Sequence, residues 1–323
     1  MHSHPPHALV SSEVHKFDVT LDGTNGLPAV RHVRAARLTP DGRQVVVLGS
    51  ESPFIHVLGV EGRAARSFGT VGEHSGGLRY PVTIAVSDAE ELLVAEASGA
   101  ALVFDLDGSV HADIADTGVL PMAAAAPCAG EWLIYGPRKD AEAGSPTEWL
   151  HGLPNVGAGQ LSPHGLLSRA PAGTVGLARP FGIVARGGGA VLRHDDGDAP
   201  AVVTWACGEE SASISPRPGD GHRSIVAPPV SSGGIALRAP HGRAAPSGLA
   251  AIGDAVAIAD LSFGDQMETE FTLLSEGRER HIRITGGYVL RDSRPGVGVL
   301  IEEVGPAPHL FILGEADFLG LFD

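Results

Sequence analysis

Three carboxylates follow short aliphatic runs that have the character of buried strands, namely Glu96, Asp260 and Glu302. Oxygen ligands of this kind suit calcium, and a bound divalent cation polarises a carbonyl group and lowers the pKa of a bound water. His74 and His194 lie on loops from which an imidazole could shuttle the proton. These residue types therefore predict, as one of two functions, a metal-dependent hydrolase.

Three arginines share a different setting, close before a proline that leads into a strand. They are Arg79 in Leu-Arg-Tyr-Pro, Arg179 in Leu-Ala-Arg-Pro and Arg238 in Leu-Arg-Ala-Pro. A guanidinium group in this position can hold a carboxylate or phosphate with two hydrogen bonds. The chain has no GxSxG, HExxH, SxxK or P-loop motif. We therefore favour a non-catalytic binding or scaffold protein that recognises a peptide, a protein or a small anionic ligand; the hydrolase is the alternative.

Each of these residues also has a purely structural explanation. A carboxylate at Glu96 or Asp260 can accept hydrogen bonds from the backbone N–H groups of a neighbouring turn, with an arginine as its partner. A single loop histidine such as His74 or His194 is more often an ordinary surface residue than a ligand or a base. The sequence leaves open whether these side chains form a site or hold loops in place.

Short buried strands are the elements that must position these side chains. Residues 83–86 and 92–95 are aliphatic or β-branched runs bounded by Pro81 and by polar turn residues. A helix would need apolar residues three and four apart over ten or more positions, and these runs end after four or five. Further hairpins of the same kind are predicted at 35–38 with 44–48, 122–126 with 132–135, 182–185 with 190–193, 248–252 with 255–259 and 287–290 with 297–301.

A recognisable pattern of residues runs through 68–108. It consists of Phe68-Gly69, Gly72, Leu78, Pro81, Ile84-Ala85-Val86, Leu93-Val94-Ala95-Glu96 and Val103-Phe104-Asp105 with Gly108. This stretch resembles the repeat of NHL-type β-propellers. The resemblance implies an all-β fold, a six-bladed propeller of four-stranded antiparallel blades, in which ligands bind at the mouth of the central channel. Calcium hydrolases of the gluconolactonase and paraoxonase group share the architecture, and resemblance to them implies a lactone or ester as the substrate of the alternative hydrolase. These enzymes also use Asn as a ligand, and neither Asn25 nor Asn155 follows a second strand.

The alternation of apolar and polar residues over 14–21 predicts one more strand, with one face in water. Such a leading strand can complete the last blade and so remove an open sheet edge. We therefore expect a single propeller domain over 14–323, preceded by a flexible His-containing arm over 1–13. Gly-, Pro- and Ser-rich stretches at 137–146, 154–163 and 211–234 are expected to form loops or hairpins outside the ring.

Composition narrows the set of partners. A formal charge of -15 repels phosphate backbones, so we expect no nucleic-acid partner. No apolar run reaches 18 residues and no secretory signal pattern is visible, so we expect a soluble protein that does not bind membranes. The two cysteines, Cys128 and Cys207, are far apart and in no CxxC spacing. Their arrangement predicts neither a disulfide framework nor a thiolate metal site, and it favours a reducing, cytoplasmic location.

Overall fold

In the residues that the computed structural model describes, the regular elements are β-strands apart from one short helix near the C-terminus. The predicted arm over 1–13, the loop residue His74 and the arginines Arg179 and Arg238 lie outside the residues that the structure describes. The described residues are 17–24, 26, 28–59, 64–72, 76–128, 131–140, 147–154, 164–169, 182–186, 188–195, 200–209, 212–216, 244–263, 266–275 and 278–323.

The strands occur at regular intervals along the chain, and each of the six hairpins predicted from the sequence is present. In chain order the elements are β1 (Asp18–Thr20), β2 (Val33–Leu38), β3 (Gln44–Gly49), β4 (Ile55–Gly59), β5 (Ala64–Phe68), β6 (Pro81–Val86), β7 (Glu91–Glu96), β8 (Ala101–Asp105), β9 (Val110–Ile114), β10 (Ala123–Cys128), β11 (Glu131–Tyr135), β12 (Thr147–Pro154), β13 (His164–Arg169), β14 (Ile183–Ala185), β15 (Gly189–Asp195), β16 (Pro200–Ala206), β17 (Ser213–Pro216), β18 (Ala244–Ile252), β19 (Ala255–Phe263), β20 (Met267–Ser275), β21 (Arg278–Thr285), β22 (Tyr288–Arg294), β23 (Gly298–Glu303), β24 (His309–Leu313) and α1 (Glu315–Gly320).

The strands form four-stranded antiparallel groups. Four of these groups are separate sheets: β2–β5, β6–β9, β10–β13 and β14–β17. The remaining sheet has eight strands in the order β1-β24-β23-β22-β18-β19-β20-β21. It consists of two antiparallel halves joined by one parallel pairing, between Gly248 and Leu290. We number the groups in chain order, so that the fifth is β18–β21 and the sixth is β22–β24 with β1.

Both faces of these groups are buried, which explains why the inner strands are continuous aliphatic runs. On β3, Val45 and Val47 pack into a cluster with residues of the sixth group. Val46 and Leu48 point to the opposite face and pack against the second group. Successive side chains on a strand face opposite ways, so a strand buried on both sides has no polar face and shows no alternation. Among the described residues, each hydrophobic cluster joins two successive groups, and one joins the sixth to the first.

The first strands of the groups lie side by side. Each first strand contacts the next one in chain order: β2 contacts β6, β6 contacts β10, and the series continues through β14, β18 and β22. The last of these, β22, contacts β2. Arg34 on β2 donates to the carbonyl of Pro81, where β6 begins. At the far end of β2, the N–H of Leu38 donates to Asp292 of β22 at 2.8 Å. These strands therefore run in the same direction and define two faces: the mouth face carries the connections into each first strand, and the hairpin face carries the turns between first and second strands.

The N-terminal strand pairs with the last strand of the chain. β1 is antiparallel to β24, with Asp18 opposite Phe311 and Thr20 opposite His309. Phe17 and Val19 are buried in the cluster that joins the sixth group to the first. The strand predicted over 14–21 is thus present as β1, and residues 14–16 lie outside the described part of the chain.

Two elements were not predicted. The stretch 211–234 was expected to form a loop or hairpin outside the ring, but within it Ser213–Pro216 forms β17 and pairs with β16 of the fourth group. This segment has a single aliphatic residue, Ile214, among serine and proline, so it lacks the aliphatic run by which a buried strand is recognised. The helix α1 follows β24, and Phe318 packs edge-on against Phe271 with ring centroids 6.0 Å apart. Phe318 is buried in the cluster of the fifth and sixth groups, and Leu319, Leu321 and Phe322 pack against the same cluster.

The prediction that the two cysteines form no disulfide is wrong. Cys128 at the end of β10 and Cys207 directly after β16 form a disulfide, with their Cα atoms 6.0 Å apart. The bond links the third group to the fourth. The pair was not predicted because the two cysteines are 79 residues apart in the sequence, and only the packing of successive groups brings them together.

We expect Phe17→Ala to lower the free energy of unfolding by about 3–5 kcal/mol, because it leaves a cavity where the first and sixth groups meet. Denaturant unfolding followed by tryptophan fluorescence measures the change. Tyr80→Ala is the matched control: Tyr80 is 70% exposed, and its loss should change stability by less than about 0.5 kcal/mol. Equal effects of the two substitutions would contradict a role for the N-terminal segment in holding these groups together.

Replacing both Cys128 and Cys207 by serine should lower the free energy of unfolding by about 2–4 kcal/mol, because the open chain gains conformational freedom in the unfolded state. Thermal melts with and without a reducing agent measure the effect. Reductant should destabilise the unsubstituted protein and leave the double variant unchanged. A protein that shows two free thiols after purification under air, and no response to reductant, would refute the disulfide.

Candidate functional site

Glu96 fixes the turn that leads into β6. Its carboxylate accepts the backbone N–H groups of Arg79 and of Tyr80, the latter at 3.2 Å. The side chain is buried, so these hydrogen bonds replace the water that the carboxylate would otherwise need. The geometry matches the structural explanation that the sequence allowed for this residue, a carboxylate that holds a neighbouring turn.

Asp260 lies at the junction between the fourth and fifth groups. Its Oδ1 is 2.5 Å from Nη1 of Arg193 on β15, and the two side chains are 13% and 2% exposed. A buried charge needs a partner of opposite sign, because removing either ion from water is costly. Asp260 therefore serves to neutralise Arg193 where two groups pack together.

Glu302 occupies a similar junction, between the sixth and first groups. Nε of Arg291 donates to its Oε2 at 2.5 Å. The same guanidinium donates through Nη2 to the carbonyl of Val33 on β2, at 2.9 Å. The pair thus bridges the end of β23 to the start of β2, near the point where the N-terminal part of the chain meets the C-terminal part.

The three carboxylates do not come together as metal ligands. Glu96 holds a turn within the second group, whereas Asp260 and Glu302 lie at two different junctions between groups. The described residues contain no group of three or more His, Cys, Asp or Glu side chains that could hold a metal ion. Of the two histidines predicted to move a proton, His74 lies outside the described residues. His194 lies on β15, and the structure gives no placement for its side chain.

Arg37 crosses the space between the first strands. It is a buried residue of β2. Its Nη1 donates to the carbonyl of Arg291 on β22 at 2.6 Å, and its Nη2 donates to the carbonyl of Ala124 on β10 at 3.1 Å. Nε has no hydrogen-bond partner. Burial lowers the pKa of the guanidinium below its usual value, and the charge of Asp292 opposes this shift. This one side chain links β2, β22 and β10, and β10 is a neighbour of neither of the other two strands. The guanidinium therefore lies across the axial space between the first strands.

Arg37 was not predicted from the sequence. It stands within Val-Arg-Ala-Ala-Arg-Leu, where the surrounding residues have the character of a strand buried on both faces. A charged residue at a buried position of such a strand is itself a signal, because buried charges are kept only where hydrogen bonds or opposite charges satisfy them.

Exposed apolar side chains concentrate on the mouth face. Val71 and Tyr80 belong to the connection into β6, Leu120 belongs to the connection into β10, and Val304 follows β23. They are the large hydrophobic residues that are exposed in the described part of the chain. Arg79, also exposed, stands next to Tyr80. The mouth face therefore combines an apolar surface with at least one guanidinium group.

A cleft of about 630 Å³ opens on the opposite, hairpin face. The turns β14–β15, β18–β19 and β22–β23 surround it with Arg186, Asp254 and Pro295, and the end of β16 contributes Thr204 and Trp205. No residue that the sequence analysis selected lies in this cleft. The residues that form it are mostly small, and their side chains carry no recognisable motif.

Comparison with known proteins establishes the fold. No family model matches the chain, and no curated protein matches its sequence. Kuenenia stuttgartiensis hydrazine synthase is similar in structure, with a TM-score of 0.52 and 12% identity over 93% of this chain and 81% of that one. The β-propeller domain of Myceliophteria thermophila Cps50 (Swd1) has a TM-score of 0.51 and 11% identity, over 89% of this chain and 98% of that one.

The fold is a β-propeller. The four-stranded groups are its blades, and the mouth face is the face of the propeller on which connections enter the inner strands. Identities this low show a shared fold and carry nothing about function. In the described part of the propeller, no helix is long and apolar enough to cross a membrane.

We expect Asp260→Asn to lower the free energy of unfolding by about 3 kcal/mol, because the buried guanidinium of Arg193 loses its opposite charge. The loss should be the same in calcium and in a chelator, as measured by denaturant unfolding. Asp140→Asn is the control, since Asp140 pairs with Arg138 at 2.8 Å on the surface and its replacement should have no measurable effect. Calcium-dependent stabilisation that disappears in Asp260→Asn would instead support the predicted metal site.

Proposed function

We propose that the chain is a six-bladed propeller of the NHL type, with its last blade completed by β1. Three observations support the proposal. The inner strands make a circle of contacts that returns from β22 to β2. One hydrophobic cluster contains residues of both the first and the last blades. β1 supplies the fourth strand beside β24. The residue pattern over 68–108 is the basis for assigning the NHL type.

The function that this arrangement supports best is a non-catalytic binding or scaffold role, in which a peptide segment of a partner binds the mouth face. The observation that carries the proposal is the exposed ring of Tyr80 on a turn whose backbone is held by the buried Glu96 carboxylate. Tyrosine supplies a large contact area with few rotatable bonds, and it is enriched at interfaces. A fixed turn also loses little conformational freedom on binding.

The chemistry of the surface indicates a peptide with an acidic residue beside an apolar one. Val71 and Leu120 are further exposed apolar residues on the same face as Tyr80, and the Arg79 guanidinium is of a type that can bind a carboxylate. Arg179 and Arg238, predicted to act with Arg79, precede β14 and β18 in the sequence. Their part in binding stays a prediction.

Other functions have less support. The charge of -15 disfavours nucleic acid. The predicted calcium-dependent lactone or ester hydrolase has no observation in its favour among the described residues, because Glu96, Asp260 and Glu302 are each engaged at separate places. A cytoplasmic location also stays a prediction. The disulfide counts against it, because reducing compartments keep thiols unpaired.

A random peptide library displayed on phage, selected against the immobilised protein, tests the binding function. We expect enriched peptides that carry Asp or Glu next to an aromatic or aliphatic residue. Their affinity should fall at least about tenfold in Tyr80→Ala and in Arg79→Gln, since both substitutions remove contacts without touching the core.

Arg43→Gln is the control for this experiment. Arg43 is an exposed arginine on the hairpin face, so its replacement should leave peptide affinity unchanged. Peptides that bind all three variants equally well, or a selection that enriches no sequence, would contradict the proposed role of the mouth face.

A further inference from the structure

The hairpin-face cleft has charged groups of both signs across its opening. Arg186, from the turn after β14, approaches Asp254, from the turn after β18, with Nη2 and Oδ1 3.4 Å apart. The Arg186 side chain is mostly buried, whereas Asp254 is fully exposed. Glu209 lies at the same cleft and is also exposed. One guanidinium and two carboxylates therefore surround the opening.

The ion pair across the cleft is easily separated. It is a single contact, longer than a normal hydrogen bond, and one partner is surrounded by water. Exposed pairs of this kind contribute little to stability, so a ligand that offers each charge a new partner can replace the pair at small cost. A carboxylate bound to Arg186 can form two parallel hydrogen bonds to the guanidinium.

The interior of the cleft is apolar and roomy. Ala190, Val191, Ala251 and Pro295 contribute to its lining. A Cβ atom added at Gly253, in one of the surrounding turns, would meet nothing within 4 Å. The volume of the cleft, about 630 Å³, is in the range of small-molecule sites. The lining thus suits a large apolar group.

The wall formed by β16 is held from two sides. The N–H of Cys207, directly after this strand, donates to the carbonyl of Gly188 at 2.8 Å, and the sulfur of Cys207 is bonded to the third blade. Trp205 donates through Nε1 to the carbonyl of Glu209 at 2.9 Å. These contacts keep the wall in place without any ligand, so the cleft is formed in advance.

We propose that this cleft binds a free α-amino acid with a large apolar side chain. The ligand carboxylate pairs with Arg186, its ammonium group pairs with Asp254, and its side chain lies against Ala190, Val191 and Pro295. Glu209 adds negative charge that favours the ammonium group. A ligand with only one of the two charges pairs with one side of the opening. The residue on the other side then gains no new partner. The site is on the face opposite the proposed peptide surface and is independent of it.

Three related molecules test the proposal by calorimetric titration of the intact protein: phenylalanine, phenethylamine, which lacks the carboxylate, and 3-phenylpropionate, which lacks the ammonium group. Phenylalanine should bind about tenfold more tightly than either. Arg186→Gln should remove the preference over phenethylamine, and Asp254→Asn should remove the preference over 3-phenylpropionate. Leucine and tryptophan are titrated in parallel, and glycine should bind more weakly than all three apolar amino acids.

Arg138→Gln and Asp140→Asn provide matched controls, because they alter an ion pair on the other face and should leave every affinity unchanged. The cleft variants change one partly exposed side chain, Arg186, and one fully exposed side chain, Asp254, and thermal melts check that both variants are folded. The proposal is overturned if phenylalanine, leucine and tryptophan all fail to bind at about 10 mM. It is also overturned if the cleft variants keep the preferences of the unsubstituted protein.

Discussion

Burial of both faces of every blade is the constraint on which the rest of the structure depends. A four-stranded sheet with valine, leucine and isoleucine on both sides cannot present either face to water without a large loss of free energy. Each blade therefore needs a neighbour on each side, and the hydrophobic clusters lie between successive blades. The N-terminal β1 follows from the same requirement, because it shares a cluster with the last strand of the chain and with the first blade.

The inner hairpins could be predicted because their signal is local. Runs such as 45–48 and 92–95 are aliphatic throughout, and polar or turn residues bound them. β17 and the helix α1 were missed for the opposite reason. Serine and proline supply three of the four residues of β17, and the short helix has only Phe318 and Leu319 from its last turn packed on the core cluster. Such elements are stabilised by contacts with neighbouring strands, and a local residue pattern does not reveal those contacts.

The candidate site was likewise predictable from the sequence only in part. The sequence identified Glu96, Asp260 and Glu302 as unusual carboxylates, and all three proved to be specifically bonded. Residue type alone cannot separate a calcium ligand from a carboxylate that accepts N–H groups or pairs with arginine, since both roles use the same oxygen atoms. The distinction depends on which neighbour the fold supplies. For the same reason the disulfide and the hairpin-face cleft left no trace in the sequence, because each is assembled from two or more blades.

Arg37 places a positive charge in the axial space between the first strands. Its guanidinium reaches from β2 to carbonyls on β10 and β22. A fixed cation among these strands repels other cations and attracts anions. A small anion that enters the axial space therefore meets an attractive charge whichever face it comes from, whereas a metal ion or a protonated amine is repelled.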